Sequence, residues 1–198
     1  KKQMISSFNE KLYRQCIKEL NKKSIQQSIL AYEHLFNVGY KPNFLSLYYS
    51  PILTALKQFF GDLKNKHILE VGFRLPLFLN YLKKQGAITY GIDNNPRVIK
   101  KKLWRMPVEK LNKTFLKENK NKFHAIIERI TLSRLYDECH VLEAGKPRFK
   151  DKWKILSNLY NLLKPRGLLI LQDDRGTIFT EAQFAKIRFK KIMKETPL

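Results

Sequence analysis

The sequence lacks most of the features that would assign a chemistry at sight. It has two cysteines in 198 residues, Cys16 and Cys139, too far apart for metal-ligand or redox spacing, so both are expected to be reduced thiols with no assigned role. No apolar run approaches the roughly 20 residues of a bilayer span, and the first residues carry no apolar signal-peptide core, so a soluble, cytoplasmic protein is expected. His34, His67, His124 and His140 show no H-x-x-x-H or similar ligand spacing; no metal is expected, and the four are read as structural or exposed. There is no internal repeat, no low-complexity segment, and no residue that stands out as catalytic acid, base or nucleophile. Acidic residues are scarce as well, 17 against 39 Lys and Arg, for a net charge of +22.

That charge favours polyanionic partners, nucleic acid among them. Lysine accompanied by plentiful Asn, Ile, Phe and Tyr also follows from AT-rich coding, and both readings stay open. The basic residues fall in scattered groups, among them Lys22-Lys23, Lys83-Lys84 and Lys100 to Lys102, so the sequence does not show that they share one face. A hydrophobic fraction of 43% excludes disorder over most of the chain, because that much apolar surface offsets the entropy of ordering.

The first 66 residues read as helices. In "FNEKLYRQCIKEL" the apolar positions Phe8, Leu12, Ile17 and Leu20 fall on one helical side. "SIQQSILAYEHLFNVG" follows, with Ser24 as candidate N-cap and Gly39 as candidate stop. "SPILTALKQFFGDL" predicts a third helix with Ser50 and Pro51 at the cap and first helical positions. From Lys66 strands alternate with helices, which predicts an α/β domain with a doubly wound, mostly parallel sheet. "HILEVG", "AITYGID", "FHAIIE" and "GLLILQ" read as strands, while "LPLFLNYLKKQG", "NPRVIKKKLW" and "FKDKWKILSNLYNLLKPRG" read as helices, the last stopped by Pro165 and Gly167. A further strand at "MPVEKL" is expected to be short or irregular because of Pro107. The organisation expected is a helical extension over 1–47 and a Rossmann-like domain over 48–198.

The most informative stretch is "ILEVGFRLP", residues 68–76, followed by "GIDNNP", residues 91–96. An apolar strand running into a turn with Gly72, and an acid, Asp93, 21 positions later at the end of the next strand, is the arrangement that places a ribose against a carboxylate. These two stretches resemble the first two motifs of class I S-adenosylmethionine-dependent methyltransferases. "FHAIIE" looks like the family's fourth strand, "LLKPRGLLIL" like its turn into the fifth, and "FTEAQFAKIRFKKI" like its late helix and strand, so the resemblance covers about residues 48 to 194. It implies S-adenosylmethionine as cofactor, with Glu70, Gly72, Phe73, Arg74, Asp93, Asn94, Val108 and Glu128 around it, Asp93 on the ribose and Glu128 toward the substrate. A nicotinamide-binding domain fits less well, because Arg74 and Leu77 break the G-x-G-x-x-G pattern.

The departures are physical ones. Arg74 and Pro76 stand where the family's turn carries glycine, and Pro76, expected at the first position of the next helix, removes an N–H from the helix end that would meet the methionine carboxylate. Arg74 could fold outward, fill the cofactor space, or pair with that carboxylate. Pro107 stands where the family often has an acid for the adenine amino group, His124 where it often has Asp, and Arg188 where it usually has Gly. Cofactor affinity is therefore expected to be weak or absent. Two functions follow: a methyltransferase acting on a small-molecule or polyanionic acceptor, or an inactive relative serving as a binding or scaffold module that contacts nucleic acid through its basic surface. Tyr48 and Tyr49 are candidates for a lid, or for core. The chain opens on Lys1 rather than Met, and only "KETPL" follows "RFKKIM". A missing N-terminal piece, and an incomplete chain, a six-stranded sheet or a protein partner at the C-terminal sheet edge, are the corresponding expectations.

Overall fold

The structure, a computed structural model, describes residues 8–37, 39, 41, 43–129 and 152–172. The stretches containing Cys139, His140, "FTEAQFAKIRFKKI" and Arg188 lie outside them. Helices α1 (Glu10–Leu20), α2 (Lys23–Phe36) and α3 (Phe44–Phe60) come first. They are followed by β1 (His67–Val71), α4 (Leu77–Lys84), β2 (Ile88–Asp93), β3 (Leu103–Arg105), a 3-10 turn (Val108–Lys110), α5 (Lys113–Glu118), β4 (Phe123–Arg129), α6 (Lys152–Leu162) and β5 (Leu163–Gln172). The strands form a five-stranded parallel sheet in the order β3-β2-β1-β4-β5. The order reverses at β1, so the chain is a Rossmann-like α/β fold whose ligand crevice belongs at the carboxyl ends of β1 and its neighbours.

Alternation along the strands sorts the core into two faces. Ile68, Ala125, Ile127 and Leu168 join Cys16, Leu20, Ile29, Leu53, Leu56, Phe78 and Leu82 under α1–α4. Leu69, Val71, Tyr90, Ile92 and Ile126 pack on the other face with Val108, Phe115, Leu156 and Leu159 from the 3-10 turn, α5 and α6. The amino-terminal helices thus share one core with the sheet. Tyr49 on α3 stacks on Phe78 on α4 with ring centres 4.2 Å apart, a contact worth about 0.5–1.5 kcal/mol beyond the area it buries.

Several helix ends differ from expectation. The second helix begins at Lys23 and stops at Phe36, where Asn37 takes the left-handed conformation that caps a C-terminus, ahead of Gly39. The third begins at Phe44, not at Ser50-Pro51, and carries Pro51 inside it. Serine and threonine hydroxyls bond back one turn there, Ser50 Oγ to the Ser46 carbonyl at 2.6 Å and Thr54 Oγ1 to the Ser50 carbonyl at 2.7 Å, which satisfies these buried hydroxyls inside the helix.

The helix expected over "NPRVIKKKLW" is absent. Its last residues form β3 instead, ahead of Pro107, and "MPVEKL" supplies the 3-10 turn rather than a strand. A short segment with adjacent Val98 and Ile99 and three consecutive lysines offers little against the cost of nucleating a helix. Helix α6 ends at Leu162, and β5 itself includes Pro165. Proline is tolerated because the β4–β5 register slips between Phe123 and Ala125. Gly167 is required at that irregularity, since a Cβ there would lie 2.9 Å from the Lys164 carbonyl oxygen.

Candidate functional site

β1 and β2 are adjacent and parallel, with Val71 opposite Ile92, so Gly72 and Asp93 emerge side by side at the carboxyl edge of the sheet. The Gly72 amide donates to the Ile92 carbonyl at 2.8 Å, and its φ of 80° is one that a Cβ resists. Arg74 also takes a left-handed φ, 42°. Its amide donates to Asp93 Oδ2 at 2.9 Å, and the Asn95 amide donates to Asp93 Oδ1 at 2.6 Å. The Asp93 carboxylate therefore fastens two turns at once, the one after β1 and the one after β2. Each of its oxygens keeps a second lone pair for a ligand hydroxyl.

A hollow of about 30 Å³ opens beside this carboxylate, lined by Val71, Gly72, Ile92, Asp93, Asn94, Met106, Pro107, Val108 and Glu109. Apolar Val71, Ile92, Met106, Pro107 and Val108 and polar Asp93, Asn94 and Glu109 line it together. The Met106 amide donates to the Asp93 carbonyl at 2.8 Å, which extends the β2–β3 pairing and presses Met106 to Glu109 against the opening. A water molecule needs about 10–15 Å³ measured in the same way, so the hollow as it stands admits water and not a purine.

The residues singled out in the sequence divide into three groups. Gly72, Asp93, Asn94 and Val108 meet at the hollow. Phe73 turns away from it and is buried in a small cluster with Leu79 and Leu103, lying over Gly91, where an added Cβ would come within 2.5 Å of its ring. Arg74 is exposed, and Pro76 sits one position earlier than expected, as the N-cap of α4; neither lines the hollow.

Glu70 and Glu128 are both buried and are apart from the hollow. Glu70 points to the α1–α4 face, where Tyr49 Oη donates to its Oε1 at 2.6 Å. Tyr49 belongs to that core and Tyr48 packs beside it against Phe44, so Tyr49 is core and not lid. Met106 and Pro107, from the segment expected near the adenine amino group, line the hollow as well, and Glu109 beside them escaped sequence reasoning; the signal for it is its position shortly after a strand that the sequence places too late. No group of three or more His, Cys, Asp or Glu residues that could hold a metal occurs among the described residues. None of their helices is long and apolar enough to cross a membrane.

No protein-family model matches the chain, and no curated protein matches it. Solved structures do match, methyltransferases among them. Phosphoethanolamine N-methyltransferase 2 of Haemonchus contortus, with phosphomonomethylethanolamine and S-adenosylhomocysteine, is 15% identical over 90% of this chain and 40% of its own, with a TM-score of 0.45. The same protein with S-adenosyl-L-methionine gives 16% identity, 88% and 40% coverage, and a TM-score of 0.43. The antibiotic-resistance methyltransferase Kmr gives 17%, 68% and 78%, and 0.35. The chain spans about two fifths of the length of the Haemonchus protein. The fold rests on the sheet order of the chain itself, and the chemistry of the site on its own geometry.

Proposed function

We propose that the chain is a methyltransferase of class I architecture that takes S-adenosylmethionine at the carboxyl edge of β1 and β2 and acts on a small-molecule or polyanionic acceptor. The observation that carries this reading is the Asp93 carboxylate at the end of β2, held by two backbone amides beside a hollow lined in part by Val71, Ile92 and Val108. In this reading the second lone pairs of Asp93 receive the ribose hydroxyls, and these apolar residues take the adenine. Gly72 lets the backbone approach the methionyl end, and the exposed Arg74 guanidinium pairs with the ligand carboxylate. The cofactor supplies an activated methyl group; the protein's task is to orient an acceptor and exclude water, which by itself supplies much of a methyl-transfer acceleration.

The donor set fits an adenosyl group in kind, but the opening has to widen. Entry requires the Met106–Glu109 segment to move outward, and the energy of that movement is subtracted from affinity. Weak binding is the consequence.

A second reading, a binding or scaffold module without turnover, is favoured by the same small hollow and by the engagement of both Asp93 oxygens with the protein's own amides. Isothermal calorimetry with S-adenosylmethionine and S-adenosylhomocysteine tests the cofactor site, and turnover on any acceptor removes the scaffold reading. Saturable heat at micromolar to millimolar ligand supports the enzyme reading; no heat at millimolar ligand leaves the scaffold.

A further inference from the structure

A second cluster of titratable groups lies at the opposite, amino-terminal edge of the sheet. His67 opens β1 and His124 follows the first residue of β4, their rings 5.7 Å apart centre to centre. The His67 amide donates to His124 Nδ1 at 2.9 Å, and Tyr90 Oη lies 3.3 Å from His67 Nδ1. Lys164 Nζ lies 3.2 Å from His124 Nε2. Lys102 and Lys122 stand over the Tyr90 ring, 5.1 and 4.7 Å from its centre, and Lys66 stands 5.6 Å over Phe60. The four lysines and both histidines are half-buried. None of these lysines has a carboxylate within ion-pair distance among the described residues.

Two features indicate that an acceptor is wanted here. Because His124 Nδ1 accepts a backbone N–H, the neutral ring carries its proton on Nε2, and Nε2 faces the Lys164 ammonium. Two donors point at each other, an arrangement that an anion bridging them would satisfy. The second feature is crowding. Burial, followed by the charges of Lys164, Lys122 and Lys102, holds His67 below the ordinary imidazole range. Burial, Lys164, Lys66 and His67 do the same at His124. Burial and then Lys102 lower Lys122, with Glu118 on α5 acting in the opposite direction.

The layout suits a polymer better than a single phosphate. Lys102 precedes β3, His67 opens β1, Lys122 precedes β4 and Lys164 is in β5, so the row crosses the sheet from one outer described strand to the other. The Lys102 and Lys122 ammonium groups converge on the Tyr90 ring, while Lys164 sits at His124 and Lys66 over Phe60, so the charges occupy three stations, more than one phosphate fills. We propose that this edge binds the phosphodiester backbone of a nucleic-acid strand, with one phosphate oxygen bridging Lys164 and His124 and neighbouring phosphates meeting Lys122, Lys102 and Lys66. The net charge of +22 supplies the long-range attraction, and the Lys-His row supplies the docking point. Bound phosphate favours protonated His67, whereas His124 keeps Nδ1 unprotonated as the acceptor of the His67 amide, so binding takes up a proton and strengthens as pH falls toward the ordinary imidazole range; Tyr90 and Glu118 are the other titratable groups that face the row.

Fluorescence anisotropy with a labelled single strand of about 12 nucleotides tests the proposal on the intact chain. The double variant Lys122→Gln/Lys164→Gln is expected to weaken binding about tenfold or more and to flatten the slope of log affinity against log salt by about 2. Lys83→Gln/Lys84→Gln removes the same charge from the exposed end of α4 and is expected to stay within about twofold. Equal losses from both pairs, or no binding at low salt, overturn the proposal. Histidine ring resonances of the unaltered chain give an independent readout. Shifts at His67 and His124 with micromolar oligonucleotide, and only with millimolar inorganic phosphate, support it. Shifts at equally low phosphate identify a small-anion site, and shifts at neither histidine exclude the cluster; both results overturn the assignment.

Discussion

The Arg74 amide donates to Asp93 Oδ2 at 2.9 Å, so the turn after β1 is tied to the end of β2 by the same carboxylate that the proposed function assigns to a ribose. Structural and ligand roles meet in one side chain, and a substitution there has two readouts.

Asp93→Ala removes the acceptor for both the Arg74 and Asn95 amides. The bonds lie near solvent, so the expected cost is about 1 kcal/mol of stability by urea unfolding, below the figure for buried charged bonds. Heat with S-adenosylhomocysteine should disappear in the same variant, and Asp93→Asn, which keeps one acceptor oxygen, should recover part of the stability without recovering the heat.

Gly91→Ala places a methyl group within 2.5 Å of the Phe73 ring and 3.0 Å of Leu103. Overpacking of this kind costs about 1–3 kcal/mol. Thermal denaturation should show the loss, and adding Phe73→Leu to the same chain should return part of it, because the clash is with that ring.

Tyr49→Phe takes one donor from the buried Glu70 carboxylate while leaving the stack on Phe78 in place. Leaving a buried acceptor without this donor costs about 1–3 kcal/mol, and urea unfolding should register a loss in that range. A change within about 0.5 kcal/mol, the size typical of surface substitutions, would show that this bond contributes little.

Acid sensitivity should trace to Glu19. Burial pushes its pKa up, but the hydrogen bond from Lys57 at 2.6 Å and another from the Tyr81 hydroxyl outweigh burial and hold the carboxyl below the ordinary range. A depressed folded pKa means stability that is present above the ordinary glutamate value and lost as pH falls through the folded one. Burial first, and then the bond to Glu19, raise Tyr81, so its contribution is present below the ordinary tyrosine value and is lost at more alkaline pH. Unfolding measured from pH 7 to pH 3 should show a shallower decline for Glu19→Gln than for the unaltered chain; parallel curves would remove Glu19 from the account.

Much of the fold was legible because β1, β2 and β4 are short apolar runs each marked at one end at least by lysine, asparagine or glycine, and because Gly72 and Asp93 keep the spacing of a βαβ turn. What escaped depended on contacts distant in sequence. β3 is only three residues long and is defined by pairing with Gly91, Ile92 and Asp93, which no local period records. The start of α3 was placed too late because Ser50-Pro51 has the form of a helix start, whereas its serines bond within the helix. The size of the hollow depends on how the Met106–Glu109 segment lies against Asp93. The basic edge was hidden for the same reason: its members are up to 98 positions apart, from Lys66 to Lys164. A signal for it did exist, since Lys66, Lys102 and Lys122 each immediately precede a strand.

The most direct test of the proposed cofactor site is amide resonance mapping of isotope-labelled protein during titration with S-adenosylhomocysteine. The account predicts saturable shifts at Gly72, Arg74, Asn95 and Val108, with smaller ones along Met106 to Glu109 as that segment moves. Unchanged spectra at millimolar ligand, or shifts confined to another part of the molecule, would contradict it.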